Sequence, residues 1–177
     1  GIAATAGAVY YATVAGASTV ESVNVTLGAG NNIFNIDSTR AGVNANVLGG
    51  NGNDTFTVGS IETGLHSTAL RWLDFIAGAL RLDAQLGTDT VRLDDSGDDK
   101  ANTGTFLGDT LTGLGITGSI SLAPAENISI SLGAQKDTFY VPGTAAGLNL
   151  TMNMGGGFDT AYVGTAQIAD IDSAKAI

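Results

Sequence analysis

Cysteine is missing from the 177 residues, histidine and tryptophan occur once each, and proline occurs twice. Without cysteine the chain has no disulfide, no thiolate metal site and no thiol nucleophile. The single histidine, His66, follows a Gly-Leu pair and reads as a surface or turn residue, which leaves no nucleophile–base pair of the usual kind. No run approaches the ~18 apolar residues that a membrane-spanning helix needs. The most apolar stretch, GIAATAGAVYYATVAGA, is largely Ala and Gly and carries no basic region ahead of it, as a signal peptide would. Positive charge is also scarce, with seven Lys and Arg against 17 Asp and Glu, a net −10. That balance argues against nucleic acid and against anionic membrane surfaces and it suits cations, while the lack of a long apolar run argues against membrane insertion. There is no phosphate loop and no basic patch.

Glycine is abundant, at 26 residues, and with Thr, Val and Ile it points to many tight turns between short strands. The length suits one domain with a sizeable core. The stretch LGGNGNDTFTV (Leu48–Val58) sets a pattern that recurs in weaker form. The related windows are LGAGNNIF (Leu27–Phe34), AQLGTDTV (Ala84–Val91), LGAQKDTF (Leu132–Phe139) and MGGGFDTA (Met154–Ala161). Anchored on Asn32, Asp54, Asp89, Asp137 and Asp159, the windows are 22, 35, 48 and 22 residues apart. Nine before each anchor stand Val23, Ala45, Leu80, Ile128 and Leu150, and seven before stand Val25, Val47, Leu82, Ile130 and Met152. Two after come Phe34, Phe56, Val91, Phe139 and Ala161, and four after come Ile36, Val58, Leu93, Val141 and Val163. All of these positions are apolar.

Period two on both sides of a glycine turn means two strands per window. Five such units are hairpins of a sandwich or successive coils of a stack, and identical register in every unit favours the stack. The expected fold is therefore all-β, a β-solenoid of the parallel β-helix or β-roll kind, with coils of about 22 residues. Equivalent positions then form ladders, including Thr55, Thr90, Thr138 and Thr160, interrupted by Ile33. A longer period lies above the short one: Asp137 follows Asn32 by 105 residues, and Asp159 follows Asp54 by 105. The chain thus reads as one solenoid domain over 1–177, holding module copies at about 1–11 (partial), 12–116 and 117–177 (partial). Between the windows, Leu70, Trp72, Leu73, Phe75 and Ile76 form a short helix or an irregular connection, with Trp72 plugging the core or capping a coil. The acidic DDSGDDK (Asp94–Lys100) is expected as a loop thrown out from the stack.

GGNGNDTFT resembles the repeats-in-toxin nonapeptide, Gly-Gly-x-Gly-x-Asp-x-apolar-x, and the wider module resembles the haemolysin-type calcium-binding repeats of large surface or secreted proteins. The resemblance covers most of 12–165 and implies an extracellular or cell-surface β-solenoid whose turns hold calcium between them. Only Gly49–Asp54 keeps the full motif: Asn32 replaces the aspartate, Lys136 precedes Asp137 and Phe158 precedes Asp159. Calcium takes six to eight oxygens, and the candidate ligands are Asp54, the carbonyls of Gly49, Gly50 and Gly52, and the flanking Asn32 and Asp89. Asp94, Asp95, Asp98 and Asp99 form a second candidate. The competing reading is a plain turn, in which Asn and Asp bond their own backbone and tolerate left-handed conformations. Arg81 and Arg92, near Asp83 and Asp89, are the only hint of lyase chemistry, and the chain reads as no enzyme. Sequons at Asn24, Asn53, Asn127 and Asn149 are weak glycosylation signals.

Neither end, GIAATAGAVYY nor IADIDSAKAI, resembles the polar cap that closes natural repeat arrays. More of the same chain or another copy is expected to cover those ends, and Ile2–Val14 is expected to complete a neighbour's sheet. The expected function is a segment or subunit of an extracellular fibre or filament that self-associates end to end. The alternative is a monomeric calcium-binding adhesin or secretion module that folds on binding the ion.

Overall fold

Alternation on both sides of each glycine turn gives every strand one apolar face, and such faces must be buried against another layer. The computed structural model describes residues 20–59 and 71–164, and among them the chain is all-β, with no helix. The strands are β1 (Ser22–Thr26), β2 (Ile33–Ile36), β3 (Asn44–Leu48), β4 (Thr55–Val58), β5 (Leu80–Asp83) and β6 (Thr90–Asp94). They continue with β7 (Thr103–Gly108), β8 (Thr110–Gly113), β9 (Ile120–Ser121), β10 (Asn127–Ser131), β11 (Thr138–Thr144), β12 (Asn149–Asn153) and β13 (Thr160–Val163).

From β1 to β6 the chain alternates between two sheets. The first has the order β1-β3-β5-β9-β8-β7-β11-β13 and the second β12-β10-β6-β4-β2. All pairings are parallel except those of β8, which runs antiparallel to β7 and to β9. Each visit to the opposite sheet returns the chain in its original direction, as parallel neighbours require. The pairings keep the spacings of the sequence: Val23 lies beside Ala45 and Phe34 beside Phe56, each 22 apart, and Phe56 lies beside Val91, 35 apart.

The inner faces of the two sheets share one core. In the second sheet, one column runs Phe34, Phe56, Val91, Ile128, Leu150 and the next Ile36, Val58, Leu93, Ile130, Met152. Phe56, Val58 and Val91 are wholly buried, as are Ile120 and Phe139 from the first sheet. Full burial of such side chains contributes roughly 1.5–3 kcal/mol each before chain entropy is counted.

The five windows do not form one continuous stack. Anchor-matched ladders would set Phe139 beside Val91, yet Val91 pairs with Ile128. The reason is the segment β7–β8–β9, which stays within the first sheet instead of crossing. The chain next reaches the second sheet at β10, the strand before the glycine turn, not the one after it. The strands of the second module copy therefore occupy the opposite sheets. The threonine ladder divides in the same way: Thr55 pairs with Thr90, which meets Asn127, while Thr103, Thr138 and Thr160 form a separate column.

Two further expectations change. Residues 71–76 form an irregular connection, in which Leu73 and Ile76, not Trp72, fill the core. Trp72 is half-buried, stacks on Phe75 at 5.9 Å, and carries the Lys100 ammonium 5.6 Å from its ring centroid. The acidic loop is not thrown out: Asp95 and Asp98 are each 1% exposed. Asp95 donates its backbone N–H to Ser131, and Gly97 donates to Arg71, so the loop is stitched to the end of β10 and to the 71–76 connection. Leu70, His66 and Ile2–Val14 lie outside the described residues.

Candidate functional site

The turn Gly49–Asp54 joins β3 to β4 in six residues. Gly50 and Gly52 adopt φ of 95° and 119°, a region L side chains rarely enter. A Cβ at Gly50 would stand 2.7 Å from the Gly28 carbonyl oxygen, and one at Gly52 would stand 2.6 Å from the Gly30 carbonyl carbon. Glycine here permits both the turn and its close contact with the turn before it. Gly49 is buried, with Asp54 Oδ2 and the Ala84 carbonyl 2.6 and 2.7 Å from where its Cβ would be.

At the anchor position the backbone N–H points along the stacking direction, toward the next turn. A buried N–H without an acceptor is costly, and those of Asn32, Asp54, Asp89 and Asp137 are met by a carboxylate from the following turn. Asp54 Oδ1 accepts the Asn32 N–H at 2.8 Å, and Asp89 Oδ1 accepts the Asp54 N–H at 2.7 Å. Glu126 Oε2 accepts the Asp89 N–H at 2.8 Å. The motif recurs elsewhere: Asp95 takes the Leu73 N–H, Asp137 the Asn102 N–H and Asp159 the Asp137 N–H, at 2.8, 2.8 and 2.9 Å. A second column points the other way, Asn31 Oδ1 accepting from Asn53 N–H and Asn53 Oδ1 from Thr88 N–H.

Of the six residues singled out as calcium ligands, Asn32, Asp54 and Asp89 stand in this one row. Asn32 turns its amide nitrogen toward carbonyls, donating to Gly28 (2.9 Å), Gly30 (2.6 Å) and Asp54 Oδ1 (3.1 Å). The Gly49 carbonyl lies at 3.5 Å from the same amide. The Gly50 carbonyl accepts from Leu86 N–H, and Gly52 N–H donates to Leu86. Asp54 Oδ2 and Asp89 Oδ2 are buried and have no hydrogen-bond partner among the described residues. Burial raises the Asp89 pKa, the Asp54 N–H opposes that rise, and the charges of Glu126 and Asp54 add to it. The buried Asp89 carboxylate, one turn from that of Asp54, is relieved by a proton or by a cation. No three His, Asp or Glu side chains converge at metal-ligand spacing among the described residues.

Sequence reasoning missed Glu126, which replaces aspartate where the row crosses between module copies and which no glycine window announces. It also missed Asp95 as a buried acceptor: charged residues in a run read as solvated. Arg81 is ion-paired with Asp83 at 2.9 Å on the outer face of its own strand. The chain matches no protein-family model, no curated protein and no solved structure.

Proposed function

We propose that this chain is a β-solenoid that serves as a structural building block of an extracellular or cell-surface fibre, extending end to end through neighbouring repeats or further copies, without enzymatic activity. One observation carries the reading. The inner columns run in register through the second sheet, and at each extremity of the described residues the inner faces finish on apolar residues that are not fully covered. Val23, Val25 and Phe34 are partly exposed at one extremity, and Leu150 and Met152 at the other, where Val163 reaches 64%. Among the described residues β1, β2, β12 and β13 are the outermost strands of their sheets, and an outermost strand invites another. Contacts between unlike ends give open polymers when the rotation does not close. The surface location rests on the resemblance of GGNGNDTFT to haemolysin-type repeats.

Electron microscopy of the purified protein with and without a calcium chelator tests this. Filaments that survive chelation are expected, and a dispersed monomer under all conditions would overturn the reading. The second reading, a calcium module that folds on binding the ion, is favoured by the unpartnered Oδ2 atoms of Asp54 and Asp89. Carboxylate oxygens of this kind suit a hard cation. Its signature is loss of the β circular-dichroism signal in chelator and recovery on adding calcium.

A further inference from the structure

The two extremities of the described structure are complementary. At one, β1, the turn 27–32 and β2 form a unit of five, six and four residues; at the other, β12, the turn 154–159 and β13 have the same lengths. The stacking donors and acceptors also match. The N–H groups of Asn32, Asp54 and Asp137 are taken by the side chain of the following anchor and that of Asp89 by Glu126, and among the described residues nothing takes the N–H of Asp159, the last anchor. Correspondingly Asn32, the first anchor, uses its amide nitrogen on its own turn and on Asp54, and no donor reaches its Oδ1 among the described residues. One extremity thus lacks an acceptor, and the other offers one in the equivalent place.

Resting on the end-to-end reading above, the geometry points to a defined junction between two copies of this chain. β1 of the second copy lies parallel against β12 of the first, and β2 lies against β13. The second sheet of one copy then runs on into the first sheet of the next. Asn24 falls beside Thr151, and Asn32 Oδ1 receives the Asp159 N–H. Leu150 and Met152 cover Val23 and Val25, and the small Ala161 faces the ring of Phe34. An Ala161–Phe34 contact repeats the size pairing already present between Phe139 and Ala161. Phe158, 91% exposed beside Asp159, lies at the same extremity.

The other possible junction would keep the sheet order and place β13 on β1. It sets the turn 154–159 against the seven-residue connection 37–43. Within the chain, the one step that stacks unlike strands, β6 to β10, is accompanied by the extra strands β7–β9 in the other sheet. Like-on-like stacking needs no such insertion.

The absence of cysteine makes a direct test available. Single variants Asn24→Cys and Thr151→Cys, both at exposed outward positions, are mixed in equal amounts and treated with a short bifunctional thiol reagent. Covalent dimers are expected from the mixture, with little product from either variant alone. A parallel mixture of Asn24→Cys with Tyr162→Cys is expected to remain monomeric. Dimers only in that second mixture would overturn the junction while leaving end-to-end assembly standing. Cross-linking in neither mixture, with filaments still visible by microscopy, would likewise overturn the junction alone. Monomer in both mixtures and no filaments would overturn both readings.

Discussion

Aspartate recurs at the turn anchors because a backbone N–H there faces the next turn and has no strand carbonyl to meet it. The residue type was legible from the GGNGND pattern, but its bonding was not. The expectation that these side chains serve their own backbone holds for Asn32, whose amide reaches Gly28 and Gly30. Asp54, Asp89, Asp137 and Asp159 instead accept from the preceding turn. Local sequence does not reveal which turn lies next. The same arrangement places carboxylates where ionisation is unfavourable. Burial, and then the charges of Asp98, Asp74 and Asp137, push the Asp95 pKa up to about 8, against the Leu73 N–H that lowers it. Its folded pKa exceeds the unfolded value of 3.8, so its contribution to stability is full below about pH 4 and is lost as pH rises toward 8. Melting followed by circular dichroism from pH 4 to 9 should show Tm falling across that window. Asp95→Asn, which keeps an acceptor for Leu73, should flatten the fall; an unchanged slope would reassign it to other carboxylates.

At the scale of strands, apolar alternation was readable and set which side chains face inward. Neighbour relations depended on an element that carries no repeat signal. β7 and β8 pair antiparallel, with Thr105 opposite Thr112, and this excursion moves the second copy of the motif onto the opposite sheets. It also creates a tight contact: Gly104 lies directly beside Phe139 in the ladder. A Cβ at Gly104 would stand 2.6 Å from the Phe139 ring and 2.7 Å from Leu114 Cγ. Gly104→Ala should therefore destabilise the protein by about 1–3 kcal/mol, the usual cost of overpacking a filled core. Chemical denaturation measures it, and combining the change with Phe139→Leu should recover part of the loss. If the single variant is as stable as the parent, this packing account is wrong.

Across the whole molecule, burial falls from the middle toward both extremities. β4, β6 and β10 have buried inner faces, whereas β1 and β12 alternate only between exposed and half-buried residues, and Val163 on β13 is largely exposed. Local opening follows local burial. Hydrogen exchange of the dispersed protein should thus be fastest in β1, β2, β12 and β13 and slowest in β4, β6 and β10. On assembly, protection should rise at those four edge strands and change little at the centre; uniform protection before and after would speak against end-to-end contacts.

The sequence by itself determined the all-β character, the parallel pairing at intervals of 22 and 35 residues, and most of the inward-facing residues of the five windows, though not those of β7–β9. Those properties follow from side-chain alternation and turn chemistry, which act over a few residues at a time. Tertiary structure decided which sheet each copy of the motif occupies, which carboxylate serves which turn, and that Asp95 and Asp98 are interior. These depend on how the segment between the repeats packs, and packing is settled by neighbours distant in the chain, where periodicity has no reach.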